Sequence, residues 1–395
     1  MRIAVVYDCF FPLTTGGGER QYGLFADAFA RAGNDVDYLT RRQWDGAAPT
    51  PVSGVRVIAA SGPFELYDST GTRRTPGALK FAACLFTYLV RHRRDYDAVL
   101  VSALPALNVF AARLALLGTR TRFCADFLEV WRPDQWLDYS GPVMGRVART
   151  LQHLAVRVSP WVSCHSDMNG RRLAAEGARR APIVSPGLIS QELIDAPAPA
   201  DLDALRTPTV VFVGRHIPDK QVEEIPAAVA WARERVPGLD AVILGEGPQR
   251  EAVTAEIERL GLGGVVSLPG FVDEEELTER VRTAAVLVNP SRREGYGLVV
   301  VEAGSVGTPV VLVDAPDNAS VELVEDGVNG YVAPSVAPED LGSAIVRAVE
   351  GGAALRSSAR AWFDDAARHR TAEAAALAIL VQIGARAPDV RRRMR

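Results

Sequence analysis

The sequence predicts an α/β protein made of two Rossmann-like, doubly wound parallel-sheet domains that face a cleft. Three observations carry this expectation. Short apolar runs alternate with helix-like segments along nearly the whole chain, which is the pattern of parallel α/β layers. Runs such as Ala284-Ala285-Val286-Leu287-Val288 are apolar throughout and stop at a loop signal, Asn289-Pro290-Ser291, as strands covered on both faces do. The alternation breaks once, at the Pro/Ala/Asp-rich stretch Asp195–Pro208, and restarts at Val210-Val211-Phe212-Val213.

Taken in order, the first half opens with a strand at Ile3–Tyr7, a glycine-rich loop and a helix over Glu19–Ala32. Strands follow at Val36–Leu39, Val55–Ile58, Ala98–Val101 and Arg122–Ala125, with helices at Pro76–Arg93 and Ala106–Leu117 between them. A loop is expected at Trp131–Tyr139, then a helix at Val143–Val158, a strand at Trp161–Cys164 and a short last one at Ala181–Val184. The second half repeats the pattern with strands at Val210–Val213, Ala241–Leu244, Val265–Leu268, Val286–Val288 and Val310–Val313, and a helix at Leu298–Val306. The tail from Leu355 onward is Ala- and Arg-rich and reads as helical. The expected division is a first domain over 1–190, a linker over 191–208, a second domain over 209–354 and a helical tail over 355–395 that crosses back to the first domain.

Bulk numbers narrow the function classes. A chain of 395 residues is too long for one ordinary core. A net charge of -4 argues against a nucleic-acid binder held by general electrostatics. Cys9, Cys84, Cys124 and Cys164 show no paired spacing, so neither a zinc site nor a disulfide framework is expected. The chain enters a strand directly at Met1-Arg2-Ile3 without a signal core, and no uncharged stretch reaches spanning length. A cytoplasmic setting is therefore expected, and the Ala and Arg content suits a GC-rich bacterial genome.

Chemistry concentrates in loops that follow strands. Gly16-Gly17-Gly18-Glu19-Arg20 opens the first helix, where glycines let backbone N–H groups approach a ligand and a helix start favours an anion. The spacing is neither a dinucleotide fingerprint nor a P-loop, and a plain flexible turn explains it equally well. Arg215 and Lys220 follow the first strand of the second half and can converge on a pyrophosphate, or stand simply as exposed basic residues. Gly245-Glu246-Gly247-Pro248 and Pro269-Gly270-Phe271-Val272 follow the next two strands. Most informative is Glu294-Gly295-Tyr296-Gly297-Leu298-Val299-Val300-Val301-Glu302. Glu294 falls in a loop at a strand's carboxyl end and Glu302 about two turns into the following helix. In an open parallel sheet ligands bind at those carboxyl ends, and two acidic acceptors suit a ligand rich in hydroxyls.

In this order, with Pro290-Ser291 and Asp326-Gly327-Val328-Asn329-Gly330, these segments resemble the GT-B glycosyltransferases of the retaining, glycogen-synthase-like family four. The resemblance covers most of the chain and is densest from Val210 to Pro334. It implies metal-independent transfer of a sugar from a nucleotide diphosphate, UDP or GDP first, to an acceptor hydroxyl, with no cofactor beyond that co-substrate. It implies that Arg215 and Lys220 bind the diphosphate, Glu294 holds sugar hydroxyls and Glu302 holds the ribose. Gly17 and Gly18 would approach the donor from the first domain. The base would lie near Gly245, Phe271 and Val272, and the turn Gly295, Tyr296, Gly297 and Leu298 would complete the donor site. A nucleotide-sugar hydrolase or epimerase on the same fold would use the same pockets, as would a non-catalytic sugar-nucleotide binder.

One departure from the family pattern concerns catalysis. Where many members place a histidine near the reacting sugar, this chain has Asp126, with Glu129 and His165 as rivals. Three pairs imitate a metal-binding D-x-D, namely Asp35/Asp37, Asp95/Asp97 and Asp201/Asp203. None falls where the cleft is expected, so all are read as surface carboxylates and no metal site is expected. The acceptor that the resemblance implies is a small-molecule natural product, a glycan or a glycolipid. The run Trp131–Tyr139 offers aromatic faces that stack on sugars or merely pack. Arg146, Arg149 and Arg157 dot an otherwise apolar helix, a spacing that fits either a weak peripheral membrane contact or a solvated face.

Overall fold

The computed structural model describes residues 1–14, 16–49, 54–66, 74–200 and 207–384. It separates into two compact units, Met1–Leu188 together with the segment that begins at Arg370, and Ile189–His369. Within the first unit, β1 (Arg2–Val6), β2 (Asp35–Arg41), β3 (Val55–Ser61), β4 (Ala98–Ser102), β5 (Arg122–Phe127), β6 (Trp161–Cys164) and β7 (Ile183–Val184) form one sheet in the order β3-β2-β1-β4-β5-β6-β7. All of its pairings are parallel. In the second unit, β8 (Thr209–Val213), β9 (Asp240–Leu244), β10 (Val266–Gly270), β11 (Val286–Asn289), β13 (Val310–Val313) and β15 (Gly330–Ala333) run in the order β10-β9-β8-β11-β13-β15. The two-residue strands β12 (Arg293–Glu294) and β14 (Asp317–Asn318) pair beside that sheet. Both units are doubly wound α/β sheets, and in each the chain reverses direction across the sheet between its first and fourth strands.

The strands form where they do because their side chains are apolar and β-branched and both faces are covered. β4, β11 and β13 are buried at every position. β15 is a strand the sequence did not announce. It docks against β13 at Gly330, where a Cβ would lie 2.0 Å from the Val310 carbonyl, so only glycine admits this approach.

The helix Pro133–Val158 replaces the loop expected at Trp131–Tyr139. Pro133 fills its first turn, and the Arg132 amide donates to Gln135 Oε1 at 2.6 Å, the start expected of a proline-led, capped helix. Gly141, at φ 74°, and Pro142 then kink it, which is why only the second half read as helical. The linker pair Asp201/Asp203 and the tail residues 385–395 lie outside the described residues.

Asp37 corrects the reading of its pair as surface carboxylates. It is 3% exposed and accepts from Arg56 Nε at 2.9 Å, Arg2 Nη2 at 3.0 Å and Tyr96 Oη at 2.8 Å. Burial pushes its pKa up, and the hydrogen bonds from Arg56, Tyr96 and Arg2 outweigh burial and hold it below the usual value. A carboxyl with a depressed folded pKa stabilises the fold above its unfolded pKa and loses that contribution as pH falls through the folded value. Asp37→Asn is accordingly expected to cost about 1–3 kcal/mol in urea denaturation at neutral pH. The gap to the parent protein should narrow below about pH 4.

Candidate functional site

In the second unit, Lys220 and Glu294 come from loops after β8 and β11, neighbours at the point where strand order reverses. Such a switch point opens a crevice at the strands' carboxyl ends. Lys220 closes a single 3-10 turn, Pro218–Lys220, that ends on Gln221 in the left-handed region at φ 47°, ψ 42°. That turn is stapled to the loop after β11. The Arg292 amide donates to the Asp219 carbonyl at 3.0 Å, Arg292 Nε donates to Asp219 Oδ1 at 3.0 Å, and Arg293 pairs with the other carboxylate oxygen. Asp219, Arg292 and Arg293 carried no motif, yet they set where Lys220 stands.

The Lys220 ammonium pairs with Glu294 Oε1, which also accepts from Asn289 Nδ2 at 3.0 Å. Ser291 Oγ orients that amide by donating to Asn289 Oδ1 at 2.5 Å. Glu294 is only 14% exposed. Burial pushes its carboxyl up, but the Lys220 charge and hydrogen bonds from Lys220, Asn289 and Ser291 pull it below the ordinary value. Glu294 is therefore held as a carboxylate against Lys220. Arg215 stands exposed on the same loop as Lys220.

Three loops beside them are fused backbone to backbone. His216 N donates to the Glu246 carbonyl at 2.8 Å, and Gly245 N donates to the Gly270 carbonyl at 2.9 Å. At Gly245 (φ 113°) a Cβ would sit 1.9 Å from the Gly214 carbonyl oxygen. His216 is wholly buried, with neither ring nitrogen hydrogen-bonded. Burial first, then the Arg250 charge, lowers its pKa, so it stays neutral. Phe271 projects 74% exposed from the end of β10, with Val272 half-buried behind it. Gly295, Tyr296 and Gly297 form a buried turn. Gly297 at φ 100° caps the helix Leu298–Ser305, whose second turn carries the half-buried Glu302.

The first unit gathers its own cluster. Gly17 and Gly18 form the first turn of the helix Gly17–Arg31, whose start has no side-chain cap, leaving backbone donors there. A Cβ on Gly18 would come within 2.8 Å of the Tyr7 hydroxyl. Gln21 and Tyr22, one turn on, both reach Asp126 at the end of β5, at 3.3 Å and 2.9 Å. Asp126 is fully buried and also accepts from Ser163 Oγ at 2.5 Å. His165 Nε2 lies 3.0 Å and 3.1 Å from its two oxygens. His165 Nδ1 faces the Ser185 carbonyl at 3.0 Å, which can only accept, so that nitrogen carries a proton. Burial opposes charging the ring, but the Asp126 charge and the two hydrogen bonds prevail and raise its pKa. Glu129, the other rival, accepts from Trp131 Nε1 at 2.6 Å. No sequence signal pointed to Gln21 and Tyr22, because their partner is distant in the chain.

Both halves match known families. Residues 16–187 match the model described as a glycosyl transferase 4-like domain, and residues 200–370 match the model described as glycosyl transferases group 1. An alpha-D-kanosaminyltransferase of Streptomyces kanamyceticus is 32% identical over 143 residues, which is 36% of this chain and 36% of that protein. A glycogen synthase of Mycobacterium tuberculosis is 27% identical over 409 aligned positions, 91% of this chain and 89% of the relative. Among solved structures, Anabaena HepE in complex with UDP and glucose superposes with a TM-score of 0.72 at 20% identity, covering 98% of this chain and all 100% of the other. That likeness establishes the fold.

Two outcomes follow from the geometry. Gly245→Ala should cost on the order of 3 kcal/mol or more in urea denaturation, because a side chain there meets backbone rather than a movable group. His165 gains a partner on folding, so its contribution is full below the unfolded pKa and lost as pH rises through the folded one. The stability gap between the parent protein and His165→Gln should thus be larger at about pH 6 than at about pH 9.

Proposed function

This chain belongs to the group 1 glycosyltransferases, and from that premise we propose that it moves a sugar from a nucleoside diphosphate to an acceptor hydroxyl, with retention at the anomeric carbon and without a metal ion. The observation that carries the reading is the Lys220–Glu294 pair at the switch point between β8 and β11. An ammonium has three donors, and Glu294 takes one of them, leaving two for phosphate oxygens. Arg215 on the same loop adds a planar fork that suits a diphosphate.

In this reading the bond between the anomeric carbon and the phosphate oxygen breaks as the acceptor oxygen bonds to that carbon. The acceptor's proton passes to the leaving diphosphate. Arg215 and Lys220 stabilise the charge growing on that leaving group, the role a divalent ion serves elsewhere. Glu294 orients the sugar through its hydroxyls and Glu302 holds the ribose. Gly245, Phe271 and Val272 receive the base, and the turn Gly295–Leu298 lines the donor. Gly17 and Gly18 offer backbone donors at a helix start that has no side-chain cap. Asp126, with its oxygens already accepting four side chains, acts as a positioning residue that holds Gln21 and Tyr22, and with them the helix start.

UDP is the first nucleotide to try, supported by the UDP complex of the Anabaena neighbour. The acceptor class is a small-molecule natural product, a glycan or a glycolipid, supported by relatives named for kanosaminyl transfer and for glycogen synthesis.

The test is nucleotide release from a panel of UDP-, GDP-, dTDP- and ADP-sugars in EDTA. Release from one donor is expected, rising with a competent acceptor and falling roughly 10²-fold or more in Lys220→Ala and Glu294→Ala. Proton NMR of the product reports the retained anomer. Release that needs a divalent ion, or an inverted product, removes the corresponding part of the proposal. No release and no nucleotide binding overturns it.

A further inference from the structure

The first unit carries an outer helical layer that is both apolar and basic. The crossovers β3 to β4, β4 to β5 and β5 to β6 all step the same way along the sheet, so right-handed connections put their helices on one face. These are Thr75–His92, Leu107–Ala115 and Pro133–Val158, packed side by side. Nine of the fourteen large apolar side chains exposed among the described residues lie on these three helices. The second unit, built on the same kind of sheet, exposes only Phe271 of that set. The asymmetry therefore belongs to this layer and not to the fold.

Spacing shows that the exposure is organised. Leu79, Phe86 and Val90 stand 54%, 40% and 41% exposed, at positions that share one helical stripe. Beyond the Gly141–Pro142 kink, Val143, Val147 and Leu154 stand 69%, 45% and 43% exposed. They occupy the stripe opposite Gly145, Gln152 and Ala155, which the same helix buries. An ordinary surface helix puts its polar residues there.

Charge names the partner. Residues 75–94 carry Lys80, Arg91, Arg93 and Arg94, residues 103–122 carry Arg113, Arg120 and Arg122, and residues 142–158 carry Arg146, Arg149 and Arg157. No Asp or Glu occurs in any of these stretches, in a chain with 48 acidic residues and a net charge of -4; the half of the third helix before the kink does hold two, Asp134, which pairs with Arg132, and Asp138. At the margins, Asp95 is paired with His92 and Glu176 with His153. A second copy of this face would meet it with like charge, and a nucleic acid has no use for the Leu, Val and Phe stripe. An anionic bilayer uses both features: apolar side chains enter the headgroup boundary while arginines snorkel to lipid phosphates.

We propose that this layer is a docking face for an anionic membrane surface, with the three helices lying in the interface. No described helix is long and apolar enough to cross a bilayer, so the contact is peripheral. It does not depend on the reaction proposed above.

The experiment is co-sedimentation of the full chain with vesicles of phosphatidylcholine alone or with added phosphatidylglycerol, at low and high salt. Size-exclusion chromatography with light scattering runs alongside. Binding should require the anionic lipid and weaken with salt. It should fall at least about tenfold in Arg146→Ala/Arg149→Ala/Arg157→Ala, and comparably in Val143→Ser/Val147→Ser/Leu154→Ser. All of these positions are exposed, and circular dichroism checks that the variants fold; if a triple variant fails to fold, its single substitutions serve in its place. Absence of vesicle binding, or binding indifferent to both variants, overturns the proposal. So does a dimer that the apolar variant dissociates while vesicle binding is missing.

Discussion

Lys220 and Glu294 are 74 residues apart in the chain, yet they touch because β8 and β11 are neighbours in a parallel sheet. Parallel pairing fixes which loops share an edge, and the reversal of strand order fixes where that edge opens. Everything attributed to the second unit depends on this. The charged pair is expensive to bury, and removing one partner would strand the other. The protein answers with neighbours: Asn289 and Ser291 orient the carboxylate, while Asp219, gripped by Arg292 and Arg293, fixes the turn that presents the lysine. The charged pair is thus a built feature, held by a surrounding shell of polar contacts.

The first unit solves a similar problem differently. Asp126 is withdrawn from solvent and shared among Gln21, Tyr22, Ser163 and His165. It joins the end of β5 to β6 and its loop, and to the opening of the helix Gly17–Arg31. A buried carboxylate with so many donors is rigid, and the rigidity passes to the uncapped glycine turn. The loops after β8, β9 and β10 reach the same end with backbone alone, through close approaches at Gly214, Gly245 and Gly270.

Much of this was legible in the sequence, for a physical reason. Strands such as Val286–Asn289 and Val310–Val313 are covered on both faces and so appear as unbroken apolar runs, and those runs also place the loops that follow them. The places of Glu294, Arg215 and Lys220 in loops after strands, and of Glu302 on a helix, were legible because residue type and position are local properties. Partnerships were not. Nothing near Asp37 announces Arg56 and Tyr96, and nothing near Asp126 announces Tyr22, because register between strands creates those contacts. The helix at Pro133 was hidden by its aromatic residues and by the Gly141–Pro142 kink. β15 was hidden because its defining residue is a glycine chosen for what it omits.

The helix Ala372–Gln382 belongs to the first unit, where it packs on Gly17–Arg31 and pairs Glu373 with Arg31. The whole of the second unit lies between those two helices in the sequence. During synthesis from the amino end, the first helix therefore emerges long before the partner that covers this side of it. The second unit is made as one uninterrupted stretch, can close on itself, and then delivers the missing helix. Birth order is thereby inverted relative to position in the gene: the half translated first is the half completed last. Until the helix Ala372–Gln382 leaves the ribosome, the nascent first unit has an apolar flank that only later sequence can seal.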